Sequence, residues 1–259
     1  MVIDTILIDE ITKFWNANPC NIRHGYSKYN TKEFFSEISA RRYHVESHIK
    51  KFADFSNWKN KRVLEIGCGI GSDAEEFAKA GAEYVGIDIS KISIDISKNR
   101  FQLLGLPGTF ICRDASDTLS DLGHFDLIYS YGVLHHHPLI DQIIDNIKQV
   151  MHVDSQLKFM VYAKHSWKYA MIQNDLDQFE SADYCPYARV FCPTDIQLLL
   201  KDKLKIQSIE QDHCFMYNVE EYKLGNYKLE PWFEIMSTEV KNVLNTHLGW
   251  HLLVNAIHL

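Results

Sequence analysis

The chain has 259 residues, 46% of them apolar and 24% charged, which is enough for a sizeable buried core and leaves little room for long disorder. Its 27 Lys and Arg against 34 Asp and Glu leave a net charge of -7, which argues against sequence-independent binding to nucleic acid or to an anionic membrane. The six cysteines are scattered with no CxxC pair, which excludes a short-chain disulfide framework and points to a reducing compartment, and no apolar run approaches the roughly 20 residues that span a bilayer.

The opening MVIDTILIDEITKFW sets acidic residues among its apolar ones without a basic leader, so it predicts an amphipathic helix, not a secretory signal, and a cytoplasmic location. Residues 1–58 read as an N-terminal helical lid or extension. FFSEISARRYHVESHIKKF has helical spacing, and the irregular NPCNIRHGYSKYN breaks the helices before it. Residues 59–259 read as a second unit in which strands and helices alternate. RVLEI (62–66) is the first strand, with a helix over 72–81, and YVGID (84–88) is the second, followed by SKISIDISKNRFQLLG as a helix. GTFICRD contains the third strand, FDLIYSYG (125–132) is the fourth, LIDQIIDNIKQVM is a helix and QLKFMVYA is the fifth strand. Such alternation predicts an α/β fold with a doubly wound, mostly parallel sheet and the ligand at the carboxyl ends of the strands. Regularity lapses over about 164–192, an insertion too long for a bare connection and read as a substrate-side wall. PTDIQLLL then predicts a helix with Thr194 as N-cap, LKIQSIEQD a strand, PWFEIMSTEVKNVLNTH a helix, and GWHLLVNAIHL a terminal strand in a hairpin at one sheet edge.

VLEIGCGIG, residues 63–71, joins the first strand to three glycines at alternate positions. That is the sequence form of a strand, a tight turn and a helix N-terminus, where backbone approaches a ligand closely. A phosphate-gripping P-loop requires GxxxxGK[ST], and no lysine follows. A dinucleotide fingerprint requires GxGxxG; here Ser72 stands at the third glycine, which weakens that reading without excluding it. The pattern E-x-G-x-G-x-G, Glu65 to Gly71, resembles the glycine loop of the class I S-adenosylmethionine-dependent methyltransferases. WNANPCNIRHG, ARRYHVE, VYAKHSWKY, DYCPYARVF and EPWFEIM extend the resemblance to a widespread bacterial group of small enzymes of that class.

The resemblance implies a seven-stranded Rossmann-like sheet, S-adenosylmethionine as cofactor and S-adenosylhomocysteine as product. Asp88, 17 residues after Gly71 at the end of the second strand, is placed to accept both ribose hydroxyls, and Ile89 to flank the adenine. Asp114 at the third strand's end would take the adenine amino group. YSYGVLHHHP resembles the segment that passes beside the methionine moiety and opens to the substrate. The implied cofactor set is Glu65, Gly67, Cys68, Gly69, Gly71, Asp88, Ile89, Asp114, Ala115, Ser130 and Tyr131.

Methyl transfer from a sulfonium is an in-line displacement, so alignment and removal of water dominate, and a base matters when the acceptor is a hydroxyl or a protonated amine. His135, His136 and His137 are the candidate bases, since histidine removes protons near neutral pH. Consecutive histidines do not all converge on one ion, so no metal is expected there. Arg23, His24, Tyr26 and Arg42 in the N-terminal segment, with Tyr162 and His165 after the fifth strand, are candidates for binding substrate, because guanidinium matches carboxylate in a bidentate fork and aromatic faces favour a sulfonium. The expected function is methyl transfer to an oxygen or nitrogen of a small molecule or short peptide. The alternatives are a protein or RNA methyltransferase, a non-methylating S-adenosylmethionine enzyme, or a scaffold that keeps the fold. Against base or glutamine methylation, YGVL stands where an asparagine-proline-proline-aromatic tetrapeptide would follow the fourth strand.

Overall fold

A computed structural model describes residues 2–176 and 185–259. Residues 177–184, part of the expected insertion, lie outside the described residues. The chain begins with three helices, α1 (Val2–Ala17), α2 (Lys32–Val45) and α3 (His48–Ala53), and a 3-10 turn at Ile22–His24 lies in the break between α1 and α2. The alternating region follows: β1 (Arg62–Ile66), α4 (Ser72–Ala80), β2 (Glu83–Asp88), α5 (Lys91–Leu104), β3 (Thr109–Cys112), β4 (Phe125–Tyr131), α6 (Ile140–Gln149) and β5 (Met151–Ala163). After it come α7 (Trp167–Ile172), β6 (Val190–Phe191), α8 (Pro193–Leu200), β7 (Leu204–Asp212), α9 (Val219–Lys223), α10 (Pro231–Glu234), α11 (Thr238–Leu248) and β8 (His251–His258).

Among the described residues the sheet has eight strands in the order β3-β2-β1-β4-β5-β8-β7, with the two-residue β6 pairing β5 off that path. Every pairing among β1 to β6 is parallel, and β8 runs antiparallel to both β5 and β7. The order reverses between β1 and β4, and in doubly wound sheets ligands bind outside the strand tips at such a reversal. Apolar side chains line both faces of the sheet. On one face Ile143, Ile144 and Ile147 of α6 and Ile196 and Leu200 of α8 pack on Leu64, Ile128 and Leu157. On the other, Ile49 of α3, Phe77 of α4 and Phe101 of α5 pack with Val63, Leu127 and Tyr129.

Several local expectations are corrected. The terminal strand is not at the edge: β8 is inserted between β5 and β7, so both of its edges are hydrogen-bonded to neighbours. The helix expected over PWFEIMSTEVKNVLNTH is two, because the Ser237 side chain accepts the Val240 amide at 3.4 Å and starts α11 afresh. Cys192, not Thr194, caps α8: Pro193 fixes the first helical turn, and the Asp195 carboxylate accepts the Cys192 amide at 2.8 Å. The fifth strand begins at Met151, five residues before the expected start, with a register shift opposite Phe125 and Leu127.

Candidate functional site

β1 carries the chain into the glycine loop at the reversal point. Gly67, Gly69 and Gly71 have φ of +75°, +52° and +79°, the left-handed region that favours glycine. A Cβ at Gly67 would collide with the Val133 side chain, whereas one at Gly69 would meet nothing within 4 Å, because the loop there faces an open cavity. The loop is held from behind. Ser97 Oγ donates to the Gly69 carbonyl at 2.7 Å, and Arg100 Nη1 donates to the Ile70 carbonyl at 3.2 Å. Arg100 is itself fully buried and paired with Glu75 at 2.6 Å, so the loop's support carries its charge internally.

Asp88 ends β2 beside this loop. Its Oδ2 accepts the Gly69 amide at 2.9 Å and its Oδ1 the Ser90 amide at 2.8 Å. Each oxygen therefore keeps a lone pair for a second donor, and the carboxylate is locked in orientation before any ligand arrives. Burial raises the carboxyl above its ordinary range, against which the two amide bonds pull. Glu65, Gly67, Cys68, Gly69, Ile89, Asp114 and Ala115 line the same cavity, as does His137. Gly71 caps α4 at the cavity's back, and Ser130 lies elsewhere: it is fully buried, with Oγ donating to the Ile66 carbonyl at 3.0 Å. Strand alternation sends Ser130 into the sheet's core and its neighbour Tyr131 to the cavity. Glu65 accepts from Tyr84 Oη at 2.6 Å; burial first, then the nearby Asp73 carboxylate, push its carboxyl up to about 8. The residues present fit a nucleoside with an amino-acid tail: a preset two-oxygen acceptor, bare glycine backbone facing open space, and apolar Ile66, Ile87 and Ile89 between them.

The three consecutive histidines have three different settings on the 3-10 turn Leu134–His136 that follows β4. His135 points away from the cavity, its ring centroid 3.8 Å from that of Tyr162, with neither ring nitrogen hydrogen-bonded among the described residues; burial and then His136 push its pKa well below the usual value. That corrects its expected place at the reacting centre, because the turn aims it under the strand tips. His137 accepts the Leu139 amide at Nδ1 (3.1 Å), so its proton sits on Nε2 and is donated to Asp114 at 3.1 Å. Burial works against the Asp114 charge, but the His137 contact and the Ser116 hydrogen bonds together outweigh it and hold the carboxyl below its ordinary range. His136 alone lines two adjoining cavities. Its Nδ1 lies 2.9 Å from the Tyr187 carbonyl, which only accepts, so Nδ1 carries the proton and Nε2 keeps its lone pair. Burial lowers its pKa to about 4, so it is neutral at pH 7.

The second cavity, about 280 Å³, shares Trp15, Arg42, Tyr131, Gly132 and His136 with the first. Arg23, His24 and Tyr162 also line it. Tyr26 and His165 line neither cavity: Tyr26 is 83% exposed, and His165 is exposed with its carbonyl accepting from the Gln211 side chain at 2.8 Å. Both side chains are exposed on irregular segments between helices and strands, which corrects their expected substrate role. Arg42 lines both cavities but is already committed: its Nε and Nη2 grip Asp73 at 3.1 and 2.8 Å. Tyr43 and Tyr129 donate to the same carboxylate at 2.9 and 3.0 Å.

Asp73, His48, His213 and His251 carry no motif, and Trp15, Arg41 and Glu46 lie in segments quoted for the resemblance without being singled out; sequence reasoning missed all seven. The one signal for Asp73 was an acid in the first turn of the helix after the glycines, where it meets the positive end of the helix dipole. The end of α1 docks on the turn after Asp88, with the Asn16 Oδ1 accepting the Ile92 amide at 3.2 Å and the Trp15 ring 5.4 Å from that of His136.

Residues 63–154 match the family described as a methyltransferase domain. A ubiquinone biosynthesis O-methyltransferase of Coxiella burnetii is 34% identical over 101 residues, covering 39% of this chain and 43% of that one. A fatty-acid O-methyltransferase of Mycolicibacterium smegmatis is 30% identical over 95 residues, covering 36% of this chain and 34% of that one. The chain thus spans less than half the length of the curated relatives it matches. Among solved structures, the magnesium protoporphyrin IX methyltransferase of Synechocystis PCC 6803 with bound SAH superposes with a TM-score of 0.61 over 98% of this chain and 100% of that one, at 16% identity. Residues 63–154 are thus similar to a methyltransferase domain, and the chain has a Rossmann-like fold of the kind seen in that solved methyltransferase.

Proposed function

We propose that the chain transfers a methyl group from S-adenosylmethionine to an oxygen of a small acidic molecule. The observation that carries this reading is the pairing of Asp88, preset by the Gly69 and Ser90 amides, with an open space over Gly69 at the sheet's reversal point. S-adenosylmethionine, when bound, supplies a methyl on a sulfonium that is electrophilic enough for direct in-line displacement. The chain's own task is alignment and exclusion of water, and holding two reactants in line is worth about 7–11 kcal/mol. Asp88 and the glycine backbone hold the nucleoside end. Trp15 and Ile11 of α1 cover the first cavity, and α1 acts as its lid, whereas Ile49, Ala53 and Trp58 belong to the core under the sheet. The adjoining cavity holds the acceptor, and Nε2 of His136, on the shared wall, takes the proton of the acceptor's hydroxyl.

Arg41 supports an acidic acceptor. It lines the second cavity with its guanidinium carbon 3.9 Å over the Tyr227 ring, and its Nη2 is buried without a hydrogen-bond partner among the described residues. A carboxylate would complete it. The curated relatives named as O-methyltransferases favour oxygen as the methylated atom.

The test is calorimetric titration with S-adenosylmethionine, followed by incubation of a methyl-labelled cofactor with hydroxylated carboxylic acids and detection of S-adenosylhomocysteine. Asp88→Ala should weaken cofactor binding about 30-fold, since hydrogen bonds to a charged acceptor are worth about 2 kcal/mol. Absence of binding heat in the native chain, or an undiminished affinity in Asp88→Ala, would overturn the assignment.

A further inference from the structure

Three lone-pair-bearing atoms from three distant parts of the chain meet at the edge of the second cavity. His48 Nε2, on the first residue of α3, lies 2.7 Å from Tyr131 Oη and 2.9 Å from His251 Nδ1, and Tyr131 Oη lies 2.9 Å from His251 Nδ1. The Glu46 carboxylate stands 4.0 Å from His251 Nδ1. Tyr131, Glu46 and His251 line the cavity, so the cluster is open on that side. Behind it the His213 ring stacks on that of His251 at 4.6 Å and holds the imidazole in place.

Hydrogen bonding accounts poorly for this triangle. A neutral imidazole nitrogen either donates or accepts, and a phenol has one proton. All three edges are then served only if one proton is shared between two of them. One cation over the triangle serves all three atoms at once. An ion about 2.0–2.1 Å from each, the usual reach of a transition metal to imidazole nitrogen, can stand above a triangle of these sides without moving any corner. The atoms then subtend angles of roughly 90°, one face of a six-coordinate ion, with the remaining positions directed toward Glu46 and the cavity. Arg42 is gripped by Asp73 at 2.8 Å and stands 4.0 Å from the Glu46 carboxylate, which therefore faces both that guanidinium and the ion.

We propose that Glu46, His48 and His251, with the Tyr131 phenol, form a binding site for a divalent transition-metal ion opening on the second cavity. Given the reading of that cavity as the acceptor site, the ion presents its open positions to the acceptor's oxygens and holds them at the wall shared with the cofactor cavity. No motif announces the site, since its two histidines stand 203 residues apart.

The probe is Zn²⁺ itself, titrated calorimetrically into chelator-treated full-length protein, with metal content of the untreated protein measured by mass spectrometry. One equivalent per chain should bind, and His48→Gln or His251→Gln should each weaken it about 100-fold or more, the amide keeping shape and polarity but not the ligand. Each variant is also titrated with S-adenosylmethionine, whose affinity should stay within about threefold of the native value; that control separates a lost ligand from a lost fold. Should a variant misfold, Glu46→Gln is the substitute, with an expected loss of about tenfold. Equal Zn²⁺ binding by native protein and a folded His48→Gln variant, or no binding by the native chain, would overturn the proposal. Failure of S-adenosylmethionine to bind would instead strike the proposed function and leave the metal result standing.

Discussion

His135, His136 and His137 are chemically identical, and the neighbours of each decide what it does. His137 is tied at both nitrogens, to the Leu139 amide and to Asp114, and works as a strut under the third strand's end. His135 is stacked away from both cavities against Tyr162. His136 has one nitrogen anchored by the Tyr187 carbonyl and the other left for the cavities it lines. His136→Ala should lower turnover about 100-fold while leaving the affinity for S-adenosylmethionine unchanged, as expected for a base that acts in the transition state. Burial lowers the His136 imidazole to about 4, so the acid limb of the rate profile should fall near that pH and not near 6.5. Single-turnover rates from pH 4 to 9 check both points; an acid limb at 6.5, or an unaltered rate in the variant, removes His136 from the chemistry.

At the scale of elements, α1 is attached to the domain by few contacts placed at one spot. Its Ile11 is 2% exposed and its Trp15 and Asn16 meet the β2 to α5 turn, yet none of its residues belongs to the two clusters that pack the sheet's faces. A helix that covers a cavity without being part of the core can be removed without unfolding the domain. Deleting residues 1–17 should weaken S-adenosylmethionine about tenfold, roughly 1.4 kcal/mol, while thermal unfolding stays a single transition. Calorimetry on the shortened chain measures this, and an undiminished affinity would remove α1 from the lid.

Across the whole molecule, the buried charges beneath the glycine loop tie stability to pH. Burial and Asp73 raise the folded Glu65 carboxyl to about 8 from the ordinary 4.5. Between these values the folded chain keeps a proton that the unfolded chain releases, so stability falls as pH rises through that window and levels off above it. Glu65→Gln removes this dependence while keeping an oxygen for Tyr84 Oη. Its melting temperature should match the native value at pH 4.5 and exceed it at pH 8 by at least about 2–4 °C, the shift that 1 kcal/mol produces in a chain of this size. Melting curves of both proteins across the window, without cofactor, give the comparison; parallel curves would show that Glu65 ionises normally.

Local rules made the centre of this protein legible in one dimension. Strand and helix periods, glycines at alternate positions and an acid at the next strand's end are features of short segments, and most of the residues they single out, from Glu65 through Ala115 and on to Tyr131, line one cavity, with Gly71 and Ser130 outside it. Boundaries such as the cap at Cys192 and the break before α11 turned on single side-chain bonds that compete closely with their alternatives. The sequence by itself thus determined the alternation of strands and helices and the glycine loop, because each follows from neighbours in the chain. Only the tertiary structure decided which histidine faces the cavities, that Arg41 stands over Tyr227, and that Glu46, His48, Tyr131 and His251 converge. Those juxtapositions come from packing α2, α3 and β8 against the tip of β4, and no local pattern records which distant segments a core will press together.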